Sequence, residues 1–168
     1  MRKRGWLITA IIVVVSVLMV PRLFESTIPP AIAPAAGHPP VDWSADKPPA
    51  PTITAGKTAI PWVQTTYCWN QGCADSVGGQ DAMTGKEPAI VPANTIIHVG
   101  YPYDPAPNEL IVQQFVNNQP VNIPLQNGSF AAPAAKGTYY YALSASWIKE
   151  NTEYTLGDTS AAFAIEVR

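Results

Sequence analysis

Two different hydrophobic patterns divide this chain of 168 residues. Near the start, residues 6–20 are apolar apart from Thr9 and Ser16, and basic residues occupy positions 2–4. After about residue 57, hydrophobic and polar residues alternate in short runs bounded by Gly, Pro and Asn. A continuous apolar run is typical of a signal or membrane-crossing segment, whereas a period of two is typical of strands with one buried face.

The apolar run predicts a retained transmembrane helix in residues 1–24. Residues 6–20 alone would span about 22 Å, and extension to Phe24 gives about 28 Å, close to the ~30 Å hydrocarbon core. The basic cap orients the N-terminus toward the cytoplasm and the remainder outside the cell. A cleaved signal peptide is the alternative, but its best cleavage site, at residues 31–33, lies far beyond the run and precedes a proline.

Residues 25–56 are predicted to form a Pro- and Ala-rich extracytoplasmic linker. Paired prolines occur at positions 29–30, 39–40 and 48–49, and few large side chains are available for burial. Such a segment cannot offset its ordering entropy, so a disordered or polyproline-like stalk is expected. A proline-rich ligand for another protein is the alternative. Trp43, its only aromatic residue, is a candidate for folding back onto the domain.

Residues 57–168 are predicted to form one all-β domain, because alternation recurs in short segments separated by turn residues. Residues 110–116 and 121–126 form a predicted hairpin, with Pro124 at an edge or outward position, and Asn127-Gly128 marks another turn. The predicted core-facing side chains are those of Ile97, Val99, Tyr101, Tyr139, Tyr141, Leu143, Ala145, Trp147, Phe163, Ile165 and Val167, whereas Ile96, His98, Ala164 and Glu166 are predicted to face away.

About seven short strands with regularly spaced turns indicate an antiparallel β-sandwich, and an immunoglobulin-like one is our preferred fold. A small closed barrel is the second choice. No convincing helical period follows the apolar run. The complete prediction is therefore an N-terminal transmembrane helix, a Pro-rich linker and a β-sandwich domain.

The two cysteines, Cys68 and Cys73, lie in the stretch TTYCWNQGCADSVGG. Outside the cytoplasm they would meet an oxidising environment, where closure of this short loop by a disulfide stabilises by about 2 kcal/mol. A zinc site that also uses His98 and a carboxylate is one alternative, although the spacing is unlike a zinc knuckle. A catalytic dithiol is another, but such pairs usually have a two-residue spacer. Free thiols complete the set of alternatives.

The segments YCW…CAD, at 67–75, and GTYYYALSASW…GDTSAAFAIEV, at 137–167, resemble a small extracytoplasmic domain of bacillus-type Gram-positive bacteria. Members of that family are membrane-anchored or lipid-anchored. The resemblance implies an extracytoplasmic location and a β fold, and it implies no activity. This chain differs in having no cysteine for lipid attachment and in carrying a long insertion, IKENTEYTL, at residues 148–156.

Charge and motif content argue against several functions. Three of the ten basic residues occupy positions 2–4, so the remainder has seven basic and twelve acidic residues, a net charge of −5. An acidic exterior without a basic stripe argues against nucleic-acid binding. No nucleophile elbow, phosphate loop or calcium-loop spacing occurs, so we predict no catalytic residue, no metal site and no cofactor.

The most suggestive recognition segment is HVGYPYDPAPNEL, in which Tyr101 and Tyr103 lie among prolines. Rigid aromatic loops often carry recognition in sandwich domains. We therefore predict a binding surface of Tyr101, Tyr103, Trp69 and Asp75 on a membrane-tethered, non-enzymatic envelope module. Its partner would be an envelope protein, a wall component or a small ligand. The alternative is an envelope redox or metal-binding protein that uses Cys68, Cys73 and His98.

Overall fold

The computed structural model describes residues 37–168. The predicted anchor and the first part of the predicted linker lie outside the described residues. Within residues 37–168, none of the helical structure has the length and apolar character needed to cross a bilayer.

The described part of the chain is all-β, with one 3-10 turn, and its strands form two sheets whose inner faces share one core. The strand order is β2-β1-β6-β9 in a four-stranded sheet and β4-β3-β11-β10-β7-β8 in a seven-stranded sheet, where β5 also joins β11. All pairs are antiparallel except β5–β11. The strands are β1 (Thr52–Ala55), β2 (Thr58–Ala59), β3 (Trp62–Trp69), β4 (Gly72–Ala74), β5 (Ala89–Val91), β6 (Ile96–Gly100), β7 (Glu109–Val116), β8 (Gln119–Ile123), β9 (Ser129–Ala131), β10 (Gly137–Ile148) and β11 (Thr155–Val167).

The long hairpin of β10 and β11 forms the centre of the seven-stranded sheet. Its inward residues follow the predicted period of two: Tyr141, Leu143 and Trp147 are buried on β10, and Phe163 and Ile165 are buried on β11. The Tyr141 ring stacks on that of Phe163 with centroids 5.0 Å apart. On β6, the predicted inward and outward faces are also confirmed, because Ile97 and Val99 are buried whereas Ile96 and His98 are exposed.

Asparagines close the predicted hairpins. Asn117 and Asn118 both have positive φ and connect β7 to β8, so the turn is two residues long. Asn127 and Gly128 also have positive φ and form a second two-residue turn, which leads into β9. The amides of Gln126 and Ser129, on either side of it, each donate to the other residue's carbonyl. Asparagine and glycine adopt this left-handed conformation at low energetic cost, which explains why these turns could be predicted from the sequence.

Two prolines border the free edge of β8, the outermost strand of its sheet. Pro120 lies within β8 opposite Phe115, and Pro124 follows the end of the strand. In such hairpins the two residues that flank the turn, here Val116 and Gln119, form a hydrogen-bonded pair. Hydrogen-bonded and non-hydrogen-bonded pairs alternate, so the backbone nitrogen and carbonyl of position 120 point away from β7. Proline has no amide hydrogen, and the edge therefore presents one donor fewer to another strand.

The predicted outward orientation of Ala164 on β11 is confirmed, but that outward face is covered there. Ala162 and Ala164 do lie on the outer face of β11, yet both are buried. The segment after β4 crosses this face, and its 3-10 turn (Asp81–Met83) places the Met83 side chain against both alanines. Small side chains on the strand thus accommodate a covering segment, which an alternating pattern alone does not reveal.

The folded unit begins before the predicted boundary at residue 57. β1 pairs with β6 and buries Ile53, and Val41 is also buried in the main core. Backbone hydrogen bonds from Asp104 to Pro39 and from Val41 to Asp104 fix the preceding segment. Prolines suggested a stalk here, but long-range pairing with β6 and with the loop after it makes residues 39–55 part of the domain.

Candidate functional site at the loop end of the sandwich

One end of the sandwich is built from four segments, which together we call the loop end. They are residues 39–46, the β3–β4 turn at 70–71, the β6–β7 loop at 101–108 and the β10–β11 loop at 149–154. Connections of this kind carry recognition in many sandwich domains because the sheets hold them rigidly in place.

An aromatic cluster consists of Trp69, Tyr101 and Trp147, which are buried beneath the loop end, and Trp43 of the loop end, which is exposed and packs on them. Trp69 contacts Trp147 edge to face with centroids 5.2 Å apart, and Tyr101 contacts Trp147 in the same way at 5.5 Å. Trp43 stacks on Trp69 at 5.1 Å and 15°. Aromatic rings in edge-to-face and stacked contacts stabilise a fold by more than their buried area alone would give. The cluster therefore ties residues 39–46 to both sheets.

Trp43 is held in place by a hydrogen-bonded turn. The amide and hydroxyl of Ser44 donate to Asp42 Oδ1 at 2.9 and 2.7 Å, and these bonds lower the pKa of the exposed Asp42 carboxyl. The Trp69 indole donates to the Asp42 carbonyl at 3.3 Å, and Asn70 donates to the Ser44 carbonyl. An Asx turn of this kind fixes the backbone on either side of Trp43.

The predicted Cys68–Cys73 disulfide is present, and the described residues contain no free cysteine. The two cysteines lie directly opposite each other in the β3–β4 hairpin, with Cα atoms 4.1 Å apart. Cys68 is adjacent to Trp69, so the covalent link holds together the hairpin that supports the aromatic cluster. The bond links two strands of one hairpin, whereas the sequence suggested a link from a strand to a loop.

The four predicted surface residues occupy different environments. Trp69 and Tyr101 are 2% and 5% exposed, so they belong to the core and are not accessible to a partner. Tyr103 is half-buried and packs against the same core. Asp75 is exposed and accepts a hydrogen bond from Thr66 Oγ1 at 2.9 Å. Trp69 and Tyr101 therefore support the loop end from below, and other side chains form its surface.

The accessible part of the loop end includes residues that the sequence argument did not select. A groove of about 380 Å³ lies between the β6–β7 and β10–β11 loops, and Pro105, Leu156, Lys149 and Glu150 line it above Trp147. Tyr154 and Leu156 are 67% and 41% exposed. Both lie in the IKENTEYTL insertion, which could have indicated a surface feature but carried no periodic signal.

Tyr101 also brings a polar atom into the core. Its hydroxyl is buried without a hydrogen bond, and burial raises the pKa of Tyr101 above its usual value. The Thr159 hydroxyl opposes this shift only partly, because it does not reach hydrogen-bond geometry. A neutral phenol is therefore maintained at physiological pH, and it acts in packing.

The proposed redox or metal set is separated by the fold. His98 projects from β6 in the four-stranded sheet, whereas Cys68 and Cys73 lie in the seven-stranded sheet and are bonded to each other. Across residues 37–168, no group of three or more His, Cys, Asp or Glu side chains is arranged to hold a metal ion.

Comparisons of the chain with protein-family models, with curated proteins and with solved structures found no match in any of the three. The loop end and its groove are therefore interpreted from their own geometry.

Proposed function

We propose that the seven consecutive strands from β5 to β11 have an immunoglobulin-like arrangement. The order β8-β7-β10-β11 corresponds to strands C′, C, F and G of that fold, and the β6–β9 pair corresponds to B and E. The two N-terminal hairpins then extend the basic fold, since β1 joins β6 and β3 joins β11.

A tyrosine near the start of β10 supports this assignment. The hydroxyl of Tyr139 donates to the carbonyl of Ala135 at 2.8 Å. A tyrosine near the start of strand F that bonds back to the chain a few residues upstream is a feature of immunoglobulin-like domains. Tyr141 occupies the position two residues further on, where antibody domains have a cysteine, and it contributes an aromatic ring to the core instead.

We infer that the protein is a binding module that is tethered to the membrane and exposed outside a bacterial cell. The single observation that carries the binding role is the groove between the β6–β7 and β10–β11 loops, which correspond to the B–C and F–G recognition loops of variable immunoglobulin domains. Its apolar wall at Leu156 and its charged rim at Lys149 and Glu150 suit a ligand with both apolar and polar groups.

The location rests on the sequence of the N-terminal segment and on the disulfide. A basic cap before an apolar run favours an anchor, and disulfides persist in oxidising compartments. The resemblance to anchored extracytoplasmic domains of bacillus-type bacteria agrees with this location. We expect protease added to intact protoplasts to remove a C-terminal tag. A tag that is protected until lysis would contradict the proposed topology.

Site-specific photo-cross-linking in intact cells tests the binding role. A photoreactive side chain at position 154 lies in the loop end, whereas one at position 118 lies in the exposed β7–β8 turn at the opposite end of the sandwich. We expect discrete adducts from position 154 and none of the same mass from position 118. No adduct from position 154, or the same adducts from both positions, would contradict a binding site at the loop end.

A further inference from the structure

The outer face of the four-stranded sheet contains a second groove, with a volume of about 320 Å³, and both histidines of the chain line it. His38 and His98 are separated by sixty positions in the sequence, so only the fold brings them to one site. Gly100 contributes to the floor of the groove. A Cβ atom added there would meet no other atom within 4 Å, which shows that the missing side chain leaves open space.

His98 is positioned by its neighbours in the sheet. It lies in β6 between Thr54 of β1 and Ser129 of β9. The Ser129 hydroxyl is 2.7 Å from His98 Nδ1, so one ring nitrogen is occupied and the ring orientation is restrained. Nε2 remains available to a ligand. A hydrogen bond to the second ring nitrogen is the usual way in which proteins orient a metal-binding histidine.

His38 is carried by a segment that is anchored immediately beside it. The Asp104 amide donates to the Pro39 carbonyl at 3.0 Å, and the Val41 amide donates to the Asp104 carbonyl at 2.9 Å. These bonds hold residues 39–41 along the β6–β7 loop. Thr52, which pairs with Gly100, lines the groove as well and provides a hydroxyl oxygen.

We propose that His38 and His98 together bind a divalent transition-metal ion in this groove, and that Cu²⁺ is held most tightly. Imidazole nitrogen suits Cu²⁺, Zn²⁺ and Ni²⁺, and Cu²⁺ is the strongest binder of the divalent series. Calcium and magnesium require several oxygen ligands, and no carboxylate is among the described residues that line the groove.

The site has an open coordination sphere. Two imidazoles supply two positions, and water molecules and the Thr52 hydroxyl are available for the others. Closed structural zinc sites use four protein ligands, so this site binds more weakly and exchanges its metal with the surroundings. The inference does not depend on the proposed binding role of the loop end, because no described residue that lines this groove also lines the groove between the β6–β7 and β10–β11 loops.

Titration of the metal-free full-length protein in detergent micelles with Cu²⁺ tests the proposal. Calorimetry gives the affinity, and electron paramagnetic resonance shows the number of coordinated nitrogens. We expect one site per chain, two imidazole nitrogens, and a loss of affinity of at least about tenfold in His38→Gln and in His98→Gln. Ser129→Ala should weaken binding less than either histidine variant.

The matched control is Thr54→Ala, which alters the neighbour of His98 on β1 without touching a residue that lines the groove. It should bind Cu²⁺ with unchanged affinity. Both histidines are exposed, so their variants should retain the melting temperature of the metal-free parent. Cu²⁺ should raise that temperature clearly in the parent and in Thr54→Ala, and much less in either histidine variant.

Three results would overturn the inference. One is the absence of stoichiometric Cu²⁺ binding in the parent. Another is an affinity within about twofold of the parent in either histidine variant, a change too small for the loss of a metal ligand. The third is a resonance spectrum of the parent with fewer than two coordinated imidazoles, which would show that the two histidines do not share one metal ion.

Discussion

Gly157 lies at the start of the buried part of β11. We predict that its replacement by alanine destabilises the domain through a steric clash alone. A Cβ atom built on Gly157 would lie 2.5 Å from Trp69 Cε3 and 2.6 Å from Cζ3, well inside normal contact distance. Its φ lies outside the left-handed region, so backbone strain does not contribute. The effect of Gly157→Ala therefore measures how firmly the Trp69 ring is held.

The structure indicates that the ring cannot move without a cost. Trp69 is stacked on Trp43, touches Trp147 edge to face, and donates its indole hydrogen to the Asp42 carbonyl. Displacing it would disturb all three contacts. Overpacking of a core typically costs about 1–3 kcal/mol, and we expect about 2 kcal/mol or more here. For a domain of this size, that corresponds to a fall in melting temperature of roughly 5–10 °C.

Thermal unfolding followed by near-ultraviolet circular dichroism measures both the stability and the packing of the indole rings. Gly72→Ala is the matched control, because Gly72 lies in β4 directly opposite Trp69 of β3, has no left-handed φ and leaves open space around an added Cβ. It should change stability by no more than about 0.5 kcal/mol. If Gly157→Ala unfolds at the same temperature as Gly72→Ala, the aromatic cluster is not rigid and the reasoning is refuted.

Three further predictions concern other parts of the domain. Tyr139→Phe should lose about 1 kcal/mol with its bond to Ala135, whereas Tyr140→Phe, which breaks no hydrogen bond in the described structure, should be nearly neutral in the same melting assay. Pro120→Ala should restore an amide donor on the free edge of β8 and promote concentration-dependent self-association in light scattering, and an unchanged molecular mass would count against the edge argument. The folded state depresses the pKa of Asp42, so the stabilisation that its carboxylate gives to the turn is present at neutral pH and is lost as the pH falls below about 4. Tryptophan fluorescence should therefore report the release of Trp43 at acid pH in the parent. In Asp42→Ala the same release should already occur at neutral pH.

The sequence predicted the local features of the domain well, because each of them depends on neighbouring residues. The alternation in residues 139–147 placed Tyr141, Leu143 and Trp147 in the core, since successive side chains of any strand point to opposite faces. Asn127-Gly128 marked a turn because these residues accept positive φ. The chain has only two cysteines, so their pairing had a single solution once oxidation was assumed.

The candidate surface was predicted less well, because aromatic content does not reveal depth. Trp69 and Tyr101 were selected for a binding surface on chemical grounds, yet both are buried, Trp69 beneath the ring of Trp43 and Tyr101 against Trp147. Tyr154 and Leu156 were overlooked because they lie at and just beyond the end of the β10–β11 loop, where no periodic pattern indicates exposure. Burial is a property of the whole fold, and a list of residue types cannot supply it.

By itself the sequence determined the β character of the described domain, the inward faces of its long strands, its asparagine turns and its one possible disulfide. Only the tertiary structure decided that β3 joins β11 about ninety residues later, where the Gln64 side-chain amide donates to the Thr159 hydroxyl. It also decided that Met83 covers Ala164 and that His38 and His98 line one groove. The physical reason is that periodicity and turn preference act over a few residues, whereas pairing between distant segments depends on which of many chain closures buries the most surface and satisfies the most backbone hydrogen bonds.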